Sequence, residues 1–151
     1  MHNLTSNLFK ALFIFALALT SLNSHAENSK EFGNFVVHYN AFRSDTISPE
    51  VAKQYDLTRA SNRVLINIAV LEKVMNTTGK PTKSVVTGHA SNLTGQLKKL
   101  EFKEISEGTA IYYLAGTKIS DGEFLKFDLK IIPEGETKPI RIHFDKRFFT
   151  Y

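Results

Sequence analysis

The 151-residue sequence contains no cysteine, and its charged residues are mixed along the chain rather than gathered into blocks. The absence of cysteine excludes disulfide bonds, thiol nucleophiles, thiol redox chemistry and cysteine-ligated metals. A small exported domain without disulfides must rely on its apolar core, and this suits a bacterial periplasm better than a eukaryotic extracellular space. The mixed charge pattern argues against nucleic acid as a partner.

Recognisable catalytic and metal-binding spacings are also absent. The sequence has no Gly-x-Ser-x-Gly elbow, no phosphate-binding glycine loop and no nucleotide motif. His38, His89 and His143 lie far apart, each on a different predicted strand, without His-x-His or His-Glu-x-x-His spacing. We therefore predict no catalytic residues, no metal site and no cofactor.

The N-terminal 26 residues have the order of charge, apolar core and small residues that is typical of a secretory signal peptide. Lys10 precedes the apolar run Ala11–Leu22, and Ser24-His25-Ala26 places small residues before Glu27. A membrane-spanning helix needs about 20 apolar residues, so this run is short for one. We predict cleavage after Ala26, a periplasmic location and no transmembrane span after cleavage.

Removal of 26 of the 151 residues leaves 125, the size of one domain. Without Lys10, 18 basic residues remain against 15 acidic ones, a net charge of +3. We predict that residues 27–151 form a single β-sandwich domain.

The mature chain reads as a series of short strands rich in β-branched and aromatic residues. The predicted strands are 35–39, 64–71, 85–90, 97–105, 109–114, 124–132 and 140–149. Glu107-Gly108 and Asp121-Gly122 are typical of tight hairpin turns. The fold class we predict is all-β: an immunoglobulin-like antiparallel β-sandwich of about seven strands, with one short helix in a crossover.

The last two predicted strands alternate apolar and polar side chains, so each has one buried and one exposed face. Because apolar residues must meet on one face, the register is constrained. We predict that Leu129 pairs with Ile142, which sets Asp128 opposite His143. The adjacent residues Tyr112 and Tyr113 must point to opposite faces, so one of them is expected on the outer face, where clustered aromatics would bind a partner.

The stretch from Tyr39 to Arg63 is polar between two apolar strands. Ser48-Pro49-Glu50 is a typical helix start, since serine caps free N–H groups and proline suits the first helical position. Val51 and Tyr55 then fall on one side at helical spacing. We predict a helix over Pro49–Tyr55, anchored by these two side chains.

Three motifs in this stretch carry a family resemblance: His38-Tyr39-Asn40-Ala41-Phe42, Ser48-Pro49-Glu50-Val51-Ala52, and Tyr55-Asp56-Leu57-Thr58-Arg59 running into Asn62-Arg63. With them, nearly all of the mature chain resembles the bacterial domain of unknown function family 4426. The resemblance implies an exported all-β protein. It implies no activity, cofactor or catalytic residue.

The arginines of this stretch are the candidate binding residues, because guanidinium pairs bidentately with carboxylates and phosphates. The predicted ligand- or partner-binding residues are Tyr39, Asn40, Arg43, Arg59 and Arg63. The structural alternative is that the arginines pair with Asp45, Glu50 and Asp56 and fix the crossover.

These observations favour a non-enzymatic protein: an exported periplasmic binding or protein-interaction module. Its expected partner is an unknown protein or a small anionic ligand of the envelope. The alternative is a metal-binding or hydrolytic periplasmic enzyme whose site is assembled only in the fold.

Overall fold

The computed structural model describes residues 28–151, so the predicted signal peptide of residues 1–26 lies outside the described residues. Two antiparallel sheets pack face to face, and nearly all regular structure is β. The predicted all-β sandwich is confirmed. No helix in the described part of the chain is long and apolar enough to span a membrane.

Within residues 28–151 the chain forms ten strands, more than the approximately seven predicted. The strands are β1 (Asn28–Phe32), β2 (Phe35–Arg43), β3 (Arg63–Glu72), β4 (Lys80–Pro81), β5 (Ser84–Asn92), β6 (Leu97–Leu100), β7 (Lys103–Glu107), β8 (Ala110–Lys118), β9 (Glu123–Pro133) and β10 (Ile140–Phe148). A 3-10 turn (Ser44–Thr46) and one helix, α1 (Pro49–Gln54), lie in the crossover between β2 and β3.

The six-stranded sheet has the order β1-β2-β3-β8-β7, with β4 also pairing with β3, and the four-stranded sheet has the order β10-β9-β5-β6. In the hairpin of β9 and β10, Leu129 lies opposite Ile142 and Asp128 opposite His143. The predicted register is therefore confirmed. It holds because every second side chain of both strands must reach the core.

Two predicted connections differ from the structure, and in both of them the chain passes from one sheet to the other. The predicted strand 97–105 is two strands, since β6 belongs to the four-stranded sheet and β7 to the six-stranded sheet. Asp121-Gly122 does not close a hairpin, because β8 and β9 also belong to different sheets. A turn signal fixes a local bend but carries no information about which sheet the next strand joins.

The core between the sheets is built from alternate side chains of β2, β3, β5, β8, β9 and β10. Its aromatic centre is Phe127, whose ring stacks on Phe144 with 4.6 Å between centroids, while Tyr39 packs on the other side of Phe144 at 5.0 Å. Such stacked and tilted pairs stabilise a core beyond the area that they bury.

A part-buried ion pair lies within the four-stranded sheet at one end of the sandwich, and its lysine also reaches the six-stranded sheet. The Lys98 Nζ donates to both carboxylate oxygens of Glu123 at 2.8 Å and to the carbonyl of Lys118 at 2.8 Å. Burial alone would raise the pKa of Glu123, but hydrogen bonds from Lys98, the Ser120 N–H and Asn92 outweigh burial, and the pKa is lowered from its usual 4.5. The ionised carboxylate therefore stabilises the fold.

Glu123→Gln should lower the free energy of unfolding at pH 7 by about 2 kcal/mol, because Lys98 loses its charged partner. Since the folded pKa is depressed, this stabilisation is present above the unfolded pKa and is lost as the pH falls through the folded pKa. Urea denaturation from pH 7 down to about pH 3 measures the difference. Glu101→Gln, in the exposed Lys99–Glu101 pair, is the control. An equal loss at every pH would contradict the assignment.

Candidate functional site

The crossover between β2 and β3 is closed by one buried hydroxyl. Ser44 is completely buried, its Oγ accepts a hydrogen bond from the Ala60 N–H at 2.9 Å, and the same hydroxyl donates to the Ala60 carbonyl at 3.1 Å. This pair, the Ser44–Ala60 clasp, brings together positions that are 16 residues apart. It therefore converts the stretch between them into a fixed loop.

Two of the predicted arginines hold this loop in place. Arg43 forms a bidentate pair with Asp45 at 3.0 and 2.8 Å and also donates to the main-chain oxygens of Phe149 and Tyr151. Arg59 donates to the carbonyls of Ile47 and Asp45 at 2.8 and 2.9 Å. The pairing of Arg43 with Asp45 is the one that the structural alternative specified, and Arg59 uses main-chain carbonyls instead.

Helix α1 is capped at both ends, and the N-terminal cap is the one that the sequence predicted. The Ser48 Oγ accepts from the Val51 N–H at 3.3 Å, and Pro49 occupies the first helical position. At the C-terminal end Asp56 adopts a left-handed φ of 53°, and the Leu57 N–H donates to the Ala52 carbonyl at 2.8 Å. This is a Schellman ending, and it turns Leu57 back towards the sheet.

The helix lies over the outer face of the six-stranded sheet and leaves an apolar groove of about 230 Å³ beneath it. Leu65 and Ile105 point away from the core, yet they are only 3% and 7% exposed because the crossover covers them. Val51 and Tyr112, at the mouth, remain 41% and 37% exposed. We call this space the crossover groove; its lining is Phe42, Ile47, Val51, Tyr55, Leu57, Leu65, Asn67, Ile105, Glu107, Tyr112 and Leu114.

Few polar groups reach the crossover groove. Asn67 lies in its wall, and the buried Oδ1 of Asn67 accepts no hydrogen bond from any residue within 28–151. On the far side, the Glu107 carboxylate acts as a hydrogen-bond acceptor for Tyr55 and, together with burial, raises the pKa of that phenol. A buried unpaired carbonyl costs stability, so Asn67 has an acceptor that a ligand in the groove could use.

Arg63 lies at the β3 end of the same outer face. Its guanidinium rests over Gly116, where an added Cβ would stand 3.0 Å from the Arg63 Nη2. Gly116 is paired with Leu65 of the groove wall, two residues from Arg63 along the strand. Within residues 28–151 no group accepts a hydrogen bond from the Arg63 side chain. A half-buried cation thus borders an apolar groove.

The remaining two predicted site residues lie on opposite faces of β2. Tyr39 is buried in the core against Phe144 and does not reach the surface groove. Asn40 points to the outer face, opposite Asn67 in the register of β2 and β3. Of the five predicted residues, Arg43 and Arg59 meet at Asp45, while Arg63 and Asn40 occupy the face that carries the crossover groove.

The apolar wall of the groove is the part that sequence reasoning missed. The sequence did indicate this wall, because β3 is apolar on both faces. Leu65 points outward from β3, so another part of the chain had to cover it. The predicted helix anchors Val51 and Tyr55 both line the groove. Of the tyrosine pair, Tyr113 is buried and Tyr112 lies on the outer face, as alternation predicted.

The histidines do not meet. His38 lies on β2 of the six-stranded sheet, whereas His89 and His143 flank Asp128 in one row across the four-stranded sheet. The Nδ1 of His143 lies 3.6 Å from the Asp128 Oδ2. In the part of the chain that the structure describes, no three histidine or acidic side chains are arranged to hold a metal ion.

Comparison with known proteins identifies the family and the fold. A family model described as "Domain of unknown function (DUF4426)" matches residues 29–151. A solved DUF4426 family protein from Pseudomonas aeruginosa PAO1 is 38% identical, with a TM-score of 0.72, over 83% of this chain and 97% of that chain. No curated protein matches the sequence.

Two distant structures share the fold alone. FetP of uropathogenic Escherichia coli strain F11, recombinantly expressed in the periplasm, is 14% identical with a TM-score of 0.57, over 82% of this chain and 94% of that one. A copper-bound variant of FetP, with a single substitution, is 13% identical with a TM-score of 0.54, over 82% and 90%.

Ser44→Ala should lower the free energy of unfolding by about 2 kcal/mol, because it leaves the Ala60 N–H and carbonyl without their partner. Urea denaturation of the variant measures the loss. Ser61→Ala, an exposed serine beside the clasp, is the matched control and should be neutral. Equal stability of both variants would show that the clasp does not hold the crossover.

Asn67→Leu should raise the free energy of unfolding by about 1 kcal/mol, because a side chain of similar shape replaces an unpaired buried carbonyl. The same substitution at Asn40, the neighbouring asparagine of the outer face, controls for added apolar area. A lower stability of the Asn67 variant would mean that its amide is satisfied in the folded protein.

Proposed function

This chain belongs to the DUF4426 family, whose function is unknown, and we propose that it is an exported periplasmic binding module without catalysis. The crossover groove is its ligand site. The single observation that carries the proposal is this preformed apolar groove, fixed by a loop that Ser44, Arg43 and Arg59 hold in place. Concave apolar sites with few polar groups are the usual form of small-molecule sites.

The groove favours a small amphiphile with an apolar body and an anionic head. Its volume of about 230 Å³ and its lining of aliphatic and aromatic side chains suit an apolar body of modest size. Arg63 borders one end and has no partner among residues 28–151, so a carboxylate, sulfonate or phosphate could pair with it bidentately. Glu107 lines the groove and would repel an anionic head placed beside it.

The predicted site residues divide into two roles under this proposal. Arg63 pairs with the anionic head, and Asn40 offers a hydrogen bond on the same face. Arg43 and Arg59 act indirectly, since they hold the crossover that forms the groove wall. Tyr39 supports β2 from the core.

The periplasmic location rests on the sequence of residues 1–26, which has the pattern of a signal peptide, and on the absence of cysteine. No spacing typical of catalysis occurs in the sequence, and the groove is lined mainly by apolar side chains, which suits binding rather than proton transfer. We therefore propose a carrier or sensor role without turnover.

Two dyes that share one ring system test the ligand class. 8-Anilinonaphthalene-1-sulfonate has an anionic head, and N-phenyl-1-naphthylamine lacks it. Arg63→Gln should weaken the sulfonate dye about tenfold and the neutral dye less than about twofold, because only the former loses a charge-assisted pair. Val51→Asp should weaken both dyes at least about tenfold, because it places a charge in the groove mouth. Fluorescence titration measures both affinities.

Val74→Asp is the matched control, since Val74 is 45% exposed and lies in a loop away from the groove. It should change neither affinity. Dye binding that persists unchanged in the Val51 variant would place the dyes elsewhere and overturn the groove as the site. An equal loss of affinity for both dyes in the Arg63 variant would leave the groove as the binding site. It would rule out a specific pair between Arg63 and an anionic head.

A further inference from the structure

The outer face of the four-stranded sheet is basic, and it lies on the opposite side of the sandwich from the crossover groove. Side chains alternate along each strand, so the residues that do not enter the core share this face. Its charged members are Lys99, Lys126, Asp128, Lys130, Arg141, Asp145 and Arg147. Five are cations and two are anions, so the face concentrates much of the net positive charge of the chain.

Two of these cations, Lys130 and Arg141, have no acidic residue opposite them in the sheet, whereas Lys126 lies opposite Asp145. Lys126, Lys130 and Arg141 are exposed, and none makes an ion pair or hydrogen bond with any residue of 28–151. Lys130 lies directly opposite Arg141 in the register of β9 and β10. Like charges placed opposite one another across two strands are unfavourable. A fold that keeps this pair without an acid between them has a cationic surface ready for an external anion.

Apart from Asp145, the other charged side chains of the face already have partners. Asp128 lies 3.6 Å from His143, and Lys99 pairs with the exposed Glu101. Arg147 stacks over the Phe124 ring and donates to the Gly122 carbonyl. The anion-binding part of the face is therefore the end of β9 and β10 that carries Lys130 and Arg141.

Exposed aliphatic side chains accompany these cations. Val85 on β5 is 62% exposed, and Leu97 on β6 and Leu93 in the adjoining turn are each 68% exposed. Val85 and Leu97 lie on the outer face of their strands, Val85 towards the Lys130 end and Leu97 towards the Lys126 end. Basic side chains with aliphatic neighbours are the combination that binds a lipid interface, where cations meet phosphates and apolar groups enter between the headgroups.

We propose that this face docks the protein on an anionic phospholipid surface. The exposed cations and aliphatic side chains are spread over four strands, which suits a layer of headgroups better than a single phosphate ion. Docking would direct the crossover groove away from the membrane, because the groove lies on the outer face of the other sheet. The inference is independent of the groove and would stand if the proposed ligand class were wrong.

Cosedimentation of the purified protein with vesicles tests the proposal. The protein should bind phosphatidylcholine vesicles that contain about 30% phosphatidylglycerol, and pure phosphatidylcholine much less, at about 0.05 M salt. Because the contact is electrostatic, binding should weaken strongly at about 0.5 M salt. The double variant Lys130→Glu/Arg141→Glu should lower the partition coefficient at least about thirtyfold, since each cation near the surface contributes about fivefold.

The matched control is Lys53→Glu/Lys118→Glu, which makes the same change of charge at two exposed lysines away from the basic face. It should reduce binding only severalfold, through net charge. Equal losses of vesicle binding in the two double variants would show that this face is not the membrane-binding surface. Absence of binding to phosphatidylglycerol vesicles at low salt would overturn the membrane as the partner. Thermal unfolding of each variant confirms that folding is unchanged.

Discussion

The hydrogen bonds between Ser44 and Ala60 are the constraint on which the candidate site depends. A polar connection of this length would otherwise sample many conformations, and its backbone groups would be solvated. The clasp fixes both ends, and Arg43 and Arg59 then satisfy carbonyls inside and beside the loop. Helix α1 is thereby held at a fixed distance from the six-stranded sheet. The groove is the space between this loop and the strands beneath it, so both contribute its walls.

The two outer faces of the sandwich carry different side chains, so each suits a different kind of partner. The face of the six-stranded sheet is apolar where the crossover covers it and carries the isolated Arg63 at its edge. The face of the four-stranded sheet is exposed and carries more basic than acidic side chains. One face therefore suits a small amphiphile and the other an extended anionic surface. The shared apolar core holds the two sheets together, and Lys98, the partner of Glu123, adds a hydrogen bond to the Lys118 carbonyl of the other sheet.

Features that depend on local chemistry or on alternation could be predicted from the sequence. Ser48 and Pro49 mark the helix start, and the alternation in β9 and β10 is long enough to specify the pairing of Leu129 with Ile142. The passage of the chain from one sheet to the other could not be predicted. Glu101 and Phe102, which lie between β6 and β7, carry no signal that the next strand joins the other sheet. The arginines were recognised as a group, but their individual partners depend on where the loop folds. Arg59 meets main-chain carbonyls, and no residue pattern marks those in advance.

Methyl NMR would test the central claim, that the crossover groove is a ligand site, most directly. Titration with 8-anilinonaphthalene-1-sulfonate should shift the methyl signals of Val51, Leu65 and Leu114, which line the groove. It should leave the methyl signals of Val85 and Leu97, on the opposite outer face, near their original positions. Shifts confined to Val85 and Leu97 would show that the dye binds the basic face. That result would contradict the groove as the binding site of this protein.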